Sequence, residues 1–374
     1  MKVITILGTR PEIIRLSLII RRLDGLCDHV LVHTGQNYDV NLSEIFFRQL
    51  GVRQPDYAFG AKGSFGVQVG RIFACAEEVF LKEKPDAVLI LGDTNSGLSA
   101  IVAKRLGVPV FHMEAGNRCF DDRVPEEVNR RLIDHASTIL LPYTRGSREN
   151  LLREGVAINS IYVTGNPIWE VIQHHHDAIG KSDVLQRLHL SERRYLLVTA
   201  HRAENVDDEV RLRALVEGLE RLHVKYGFPV ICSLHPRTHQ KLRTFGVGIG
   251  TTAISFVEPL GFFDFIALEQ QAFCVLSDSG TVQEECCILH TPNVTLRDVT
   301  ERPETLECGS NVLSGTDPEK MERCVELATS VLPNWSAPGE YLQENVSQTV
   351  VNILLGYNKR VFDQPRSPEM RPPR

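Results

Sequence analysis

Two tandem α/β domains, each a doubly wound parallel sheet, are the fold class this sequence predicts. Three observations point there. Short apolar, strand-like runs alternate with amphipathic helical segments from the first residues onward, which implies parallel strands joined by crossover helices. The alternation restarts after the turn-forming cluster Gly165-Asn166-Pro167, read as an interdomain hinge. The length of 374 residues suits two domains at about 150 residues each.

Val3–Leu7 is a continuous apolar run, as a buried parallel strand should be, and Pro11–Leu23 follows with helical apolar spacing and Pro near its start. Further strands are expected at His29–His33, Ala87–Leu91, Val108–Met113, Thr138–Leu141 and Ser160–Val163, with helices such as Val67–Lys82 and Glu126–His135 between them. In the second half, Tyr195–Thr199 is a new first strand, Asp208–Leu222 a helix and Val230–Leu234 a strand. Ile254–Val257, Cys274–Leu276 and Asn293–Leu296 are further strands, separated by the helices Phe263–Ala272 and Val282–Leu289. Pro318–Leu332 and Val346–Leu355 are late helices. The expected domains are therefore 1–166 and 167–345, with the helix at about 346–360 returning to the first. The charged, Pro-rich tail 363–374 is expected to be disordered.

Composition excludes several classes. At 43% hydrophobic and 24% charged the chain is an ordinary folded protein. A net charge of -6 counts against a nucleic-acid partner. Nine cysteines without a C-x-x-C pair fit a reducing cytoplasm better than a disulfide scaffold. A charge and a turn arrive too early in Met1–Arg10 for a signal peptide, and no apolar run approaches the ~18–20 residues of a membrane span.

Doubly wound sheets bind ligands at the carboxyl ends of their strands, and two facing sheets would leave a cleft between them. The residues after the strands are therefore the place to look. They read Gly8-Thr9-Arg10-Pro11-Glu12, His33-Thr34-Gly35-Gln36, Leu91-Gly92-Asp93-Thr94, His112-Met113-Glu114-Ala115-Gly116, Ala200-His201-Arg202, His235-Pro236-Arg237 and Ser277-Asp278-Ser279-Gly280. Any one alone is as well explained by a solvated loop or a helix cap. Arg10, Arg15, His201 and Arg302 offer positive charge to an anion. Ser279-Gly280-Thr281, just before a helix at Val282, offers free backbone N–H groups to phosphate. Neither a P-loop nor a Gly-x-Gly-x-x-Gly fingerprint is present, which demotes a nicotinamide or flavin cofactor.

Asp93, Glu114 and Glu126 are the carboxylates suited to proton transfer. Asp93 and Glu114 end neighbouring strands, and Glu126 opens a helix, where the dipole alone also favours an acid. The tract His174-His175-His176-Asp177 is read as surface, because three consecutive helical residues cannot all face one ion. No metal is expected. His235 is read as a structural or ligand-lining strand-end residue, and His290 as a helix-end cap.

The motifs occur in a telling order. Gly8-Thr9-Arg10-Pro11-Glu12, Gly92-Asp93-Thr94, Glu114-Ala115-Gly116-Asn117-Arg118 and Pro125-Glu126-Glu127-Val128-Asn129-Arg130 are followed by His201-Arg202-Ala203-Glu204-Asn205, Asp278-Ser279-Gly280-Thr281-Val282-Gln283-Glu284-Glu285 and Glu301-Arg302-Pro303-Glu304. The series resembles the non-hydrolysing UDP-N-acetylglucosamine 2-epimerases, from residue 1 to about 355. The resemblance implies two Rossmann-like domains of the glycosyltransferase-B type, a homodimer, and no cofactor or metal. It implies interconversion of UDP-N-acetylglucosamine and UDP-N-acetylmannosamine by elimination of UDP to a 2-acetamidoglucal, followed by re-addition. Carried over residue by residue, Arg10 and His201 contact the diphosphate, and Ser279, Gly280 and Thr281 cradle phosphate. Glu285 holds the ribose, Phe265 lines the uracil pocket, and Arg302 completes the sugar and phosphate side. Asp93, Glu114 and Glu126 form the acid/base set, with His201 beside them.

Three departures stand out. Arg15 and Thr281 replace a common Lys and Gly, exchanging a compact ammonium for a fork and adding bulk to the phosphate loop. Asn37 replaces a family His in the region tied to activation by a second substrate molecule, so that property is not carried over. The segments Glu114–Asp121, Leu91–Ser96 and Leu260–Asp264 also resemble a subgroup converting UDP-2-acetamido-2,6-dideoxy-L-talose to UDP-N-acetyl-L-fucosamine. A UDP-sugar glycosyltransferase of the same architecture is the alternative of another class.

Overall fold

A computed structural model describes residues 1–35, 40–233, 236–247 and 253–357. The expectations for Gln36-Asn37, His235 and the tail 363–374 fall outside the described residues. The chain forms two compact units, Met1–Ile172 with the described residues from Glu340 onward, and Gln173–Gly339. The turn at Gly165 is packed inside the first unit. Its φ is +85°, and a Cβ there would lie 2.6 Å from Gln343 Cγ.

The first unit holds strands β1 (Lys2–Leu7), β2 (Asp28–His33), β3 (Tyr57–Ala58), β4 (Ala87–Leu91), β5 (Val110–Met113) and β6 (Ile139–Leu141). Its helices are α1 (Arg10–Leu26), α2 (Val40–Gln49), α3 (Phe65–Glu83), α4 (Ser99–Arg105), α5 (Pro125–Ala136) and α6 (Arg145–Arg153). From α7 (Ile168–His174) the chain passes into the second unit, beginning with α8 (His176–Gly180) and α9 (Val184–Arg187). Strands β7 (Leu196–Thr199), β8 (Val230–Ser233), β9 (Ile254–Val257), β10 (Cys274–Ser277), β11 (Asn293–Thr295) and β12 (Asn311–Leu313) follow. They alternate with α10 (Ala203–Val206), α11 (Glu209–Tyr226), α12 (Pro236–Phe245), α13 (Phe262–Gln271), α14 (Gly280–Leu289), α15 (Pro303–Glu307) and α16 (Pro318–Thr329), before α17 (Val346–Leu355) returns to the first unit.

Both sheets are parallel throughout and share one topology. The orders are β3-β2-β1-β4-β5-β6 and, read from its other edge, β9-β8-β7-β10-β11-β12. Each is the doubly wound order, so the two Rossmann-like domains expected from the sequence are present. Helices on both faces bury the strands, which is why β4 reads as an unbroken apolar run, buried at every position. In the first unit Ile4, Ile6, Val88 and Ile90 pack with Ala76 and Phe80 of α3; in the second Leu196, Val198 and Leu276 pack with Leu215 of α11 and Met321 of α16. The helix α17 docks on α1 through Arg22, whose Nε donates to Ser347 Oγ at 2.8 Å and Nη1 to Gln348 Oε1 at 2.7 Å.

Two expectations need correction. Ser160–Val163 is not a strand. It runs beside β6 but makes one bridge, Leu140 to Ile161, because β6 is only three residues long and offers no further ladder. The helix expected from Val282 starts at Gly280, so Gly280 and Thr281 lie in its first turn.

Candidate active site

In each unit the strand order reverses once, between β1 and β4 and between β7 and β10. The loops leaving those strands flank the crevice in which such a sheet holds its ligand.

In the first unit these loops carry Arg10 and Asp93. Glu12 ties them together. Its Oε2 accepts from Gly8 N at 2.6 Å and Thr9 N at 2.7 Å, and its Oε1 accepts from Thr94 Oγ1 at 2.7 Å. Burial pushes the Glu12 carboxyl up to about 7, opposed by the donors aimed at it. Arg10 is half-buried, with its guanidinium 5.8 Å from the centre of the Phe46 ring. Burial lowers its pKa from the usual value, and no carboxylate among the described residues pairs with it. A partly dehydrated cation without a counter-ion is a seat for an anionic ligand. Arg15 lies on the inner face of α1, 2% exposed.

Asp93 follows β4. Arg130 Nη2 holds its Oδ2 at 2.6 Å, and Asn129 Nδ2 donates to its carbonyl at 3.0 Å. Both come from α5, whose first turn carries Glu126. Glu126 and Arg130 are four apart and share a helix face, so the face of α5 that reaches Asp93 also presents Glu126. Arg130 is steadied in turn by Glu127, 2.8 Å from its Nη1, and Glu127 accepts from Cys119 N and Phe120 N at 3.1 Å each. Glu114 leaves β5, the strand next to β4, with φ 64°. This left-handed geometry is strained for a residue with a Cβ and is held by bonds on either side. Glu114 N donates to Leu141 O at 3.1 Å, and Gly116 N to Asp134 Oδ2 at 3.1 Å. At Gly116, φ +80°, a Cβ would fall 2.2 Å from Ser147 O.

A buried polar chain underlies both acidic loops. His112 Nε2 meets Gly92 O at 2.8 Å, and His112 Nδ1 meets Asp134 Oδ1 at 2.8 Å. Asp134 Oδ2 is 2.7 Å from Arg118 Nη2, and Arg118 also forks onto Glu154 at 2.8 and 2.7 Å. Burial alone would raise the Asp134 carboxyl. His112 and Arg118 outweigh it and hold the group below the usual carboxylate range.

In the second unit the reversal brings His201 and Arg202 against Asp278, which is fully buried. Asp278 accepts from His201 N at 3.0 Å, Arg202 N at 2.9 Å and Asn205 Nδ2 at 3.1 Å, and His201 Nδ1 lies 3.3 Å from it. Ser279 is the N-cap of α14, but its hydroxyl turns to Thr281 Oγ1 at 3.0 Å and does not cap the first turn. The first-turn N–H groups of Gly280 and Thr281 are thus left without that cap, the arrangement that suits phosphate. Phe265 lies in the first turn of α13, after β9, half-buried. Glu285 of α14 is 5% exposed, beside Glu269 of α13, whose carboxyl is driven well above its ordinary value by burial and by Glu285. Arg302 is 3% exposed, with its Nε on Glu284. Among the described residues no three His, Cys, Asp or Glu side chains are grouped so that they could hold a metal ion. No helix there is long and apolar enough to cross a membrane.

Gly280 has a packing reason to be glycine. A Cβ would lie 2.6 Å from Glu301 Oε1, and Glu301 is held by Arg297 at 2.8 Å. Gly280→Ala is expected to displace Glu301 and Arg302 and to cost about 1–3 kcal/mol of stability, read by urea unfolding. Unchanged stability would mean that Glu301 gives way freely and that packing does not require the glycine.

Strand ends pointed to the acids and cations in the sequence. Glu12, His112 and Asp278 stood in those same strand-end segments without a role of their own, and Arg118, Arg130 and Asp134 lay outside them; all six orient the acids and cations. For Glu12 a signal existed, because Thr9-x-x-Glu12 has capping-box spacing.

A family model described as UDP-N-acetylglucosamine 2-epimerase matches residues 22–355. The UDP-N-acetylglucosamine 2-epimerase of Methanococcus maripaludis is 41% identical over 96% of this chain and 99% of its own. The Pseudomonas aeruginosa protein named UDP-2,3-diacetamido-2,3-dideoxy-D-glucuronate 2-epimerase is 40% identical over 84% of this chain and 88% of its own. The crystal structure of the Methanocaldococcus jannaschii UDP-GlcNAc 2-epimerase, in complex with UDP-GlcNAc and UDP, superposes with a TM-score of 0.91. It is 41% identical and covers 96% of this chain and 100% of that one.

Proposed function

The chain belongs to the UDP-N-acetylglucosamine 2-epimerase family, and from that premise we propose that it interconverts UDP-N-acetylglucosamine and UDP-N-acetylmannosamine without hydrolysis. A base removes the proton from C2 as the C1–O bond to UDP breaks, giving a 2-acetamidoglucal. UDP adds back to C1 while a proton reaches the opposite face of C2. Neither a nicotinamide nor a metal has a step to perform.

In this reading Asp93, Glu114 and Glu126 handle the protons. Arg10, His201 and the Ser279-Gly280-Thr281 turn stabilise the negative charge that grows on the departing diphosphate, where fixed donors help most. Glu285 takes the ribose and Phe265 the uracil. Arg15 and Arg302 add positive charge from buried positions. The observation that carries the proposal is the set of three carboxylates at the carboxyl edge of the first sheet. A glycosyltransferase of the same architecture has no use for bases near C2. We place the reaction in the cytoplasm and take a homodimer as the working form, to be checked by sedimentation.

Purified protein incubated separately with the two UDP-sugars should carry both to the same mixture by proton NMR. Free N-acetylmannosamine, or turnover only of the 6-deoxy-L-talose substrate, would replace the proposal. No observation favours that substrate over UDP-N-acetylglucosamine. Arg10→Ala is expected to weaken UDP binding about 10–100-fold, the range for losing a charge-assisted contact. Full affinity in calorimetry would remove Arg10 from the diphosphate.

A further inference from the structure

We propose that Cys287 and Cys308 form a reversible dithiol–disulfide pair, a modification site for low-molecular-weight disulfides. Cys287 lies in α14 and Cys308 caps the end of α15, with their sulfurs 3.6 Å apart. That is van der Waals contact between side chains on separate elements. Closing to a bond of about 2.0 Å asks for small side-chain movements.

The two thiols differ in access. Cys308 is half-buried and Cys287 fully buried. A hydrogen bond from Cys287 lowers the Cys308 thiol against the opposing effect of burial, and Ser310 Oγ at 3.4 Å adds to the lowering. Cys308 is therefore the attacking sulfur, and Cys287, already in contact, needs no access to solvent to resolve the product. The Cys308 thiolate attacks one sulfur of the small disulfide, forming a mixed disulfide and expelling one thiolate. That thiolate takes the Cys287 proton. The Cys287 thiolate then attacks the Cys308 sulfur and expels the second small thiolate. Two cysteine thiols are oxidised to one disulfide, and one small disulfide is reduced to two thiols.

The position gives the bond something to act on. Glu284 of α14 and Arg302 at the start of α15 form an ion pair between the same two elements. The disulfide would fasten that packing behind the turn of α14 assigned to phosphate.

The test uses the full-length reduced protein and hydroxyethyl disulfide, followed by alkylation and peptide mapping without reduction. The expected result is a linked peptide pair whose fragmentation joins Cys287 to Cys308, absent after dithiothreitol. Cys308 should react at least about tenfold faster than the other half-buried thiols, Cys27, Cys75 and Cys119. Cys287→Ser should stop at a stable adduct on Cys308, and Cys308→Ser should give neither adduct nor link. A persistent Cys308 adduct in the wild-type protein, a link through Cys286, or a Cys308 no faster than Cys119 would overturn the proposal. The wild-type map decides the matter even if a variant fails to fold.

Discussion

Asp93→Asn is expected to lower kcat by about 10²–10⁴-fold while leaving UDP affinity within a small factor, the range for removing a general acid or base. The substitution is nearly isosteric. The Asp93 backbone, anchored through its carbonyl to Asn129, should stay in place. One carboxylate oxygen is fixed by Arg130 at 2.6 Å, and the side chain is 17% exposed at a strand end, as a group that must meet a ligand should be. If the three carboxylates act on C2, their loss belongs in kcat, because UDP itself carries no C2. Near-full turnover would take Asp93 out of the proton work. A loss confined to UDP affinity would make it a binding residue.

Asp134→Asn is expected to cost about 3–5 kcal/mol of stability, because it leaves the buried Arg118 guanidinium short of its counter-charge and disturbs the buried hydrogen bond to His112. The side chains of Asp134 and Arg118 are 0% exposed and that of His112 1%, so water cannot substitute. Glu154 keeps its fork on Arg118, which places the expectation toward the lower end of that range. The pH dependence has a definite sign. The folded-state pKa of Asp134 is held below its unfolded value of about 3.9, so its contribution is complete above that pH. It disappears as the pH falls through the lower folded value. Urea unfolding of wild type and variant should show a gap that is constant near neutrality and shrinks in acid. A gap that persists below both values, or one under about 1 kcal/mol at pH 7, would contradict the ion-pair account. Activity should fall too, since Gly92 O and Gly116 N both hang on this chain.

The parts of the fold legible in the sequence are those where local pattern and tertiary role agree. β4 and α17 have the bounds the pattern predicts, and β1 gains one residue, because unbroken apolar runs and helical apolar spacing each have one good solution. The strands β3 and β12 are too short to carry a pattern, with two and three residues. The two switch points follow from strand order, which no local pattern contains, yet the α/β logic placed Arg10, Asp93, His201 and Ser279 at strand ends without it. What escaped was the support beneath. His112 and Asp134 lie 22 residues apart on a strand and the following helix, and only the crossover brings them to hydrogen-bond distance. Arg130 stands in the sequence only as the last residue of a motif, and its role follows once Asp93 arrives from another strand end. The pairing of Cys287 with Cys308 depends in the same way on how α15 returns against α14.

Proton exchange at C2 is the central event of the proposed reaction, and incubation with UDP-N-acetylglucosamine in deuterium oxide, followed by NMR of the sugar, reads it directly. Deuterium should enter C2 as UDP-N-acetylmannosamine accumulates, with both signals suppressed together in Asp93→Asn. Isomer formed without deuterium at C2, or substrate recovered unchanged and unlabelled, would contradict it.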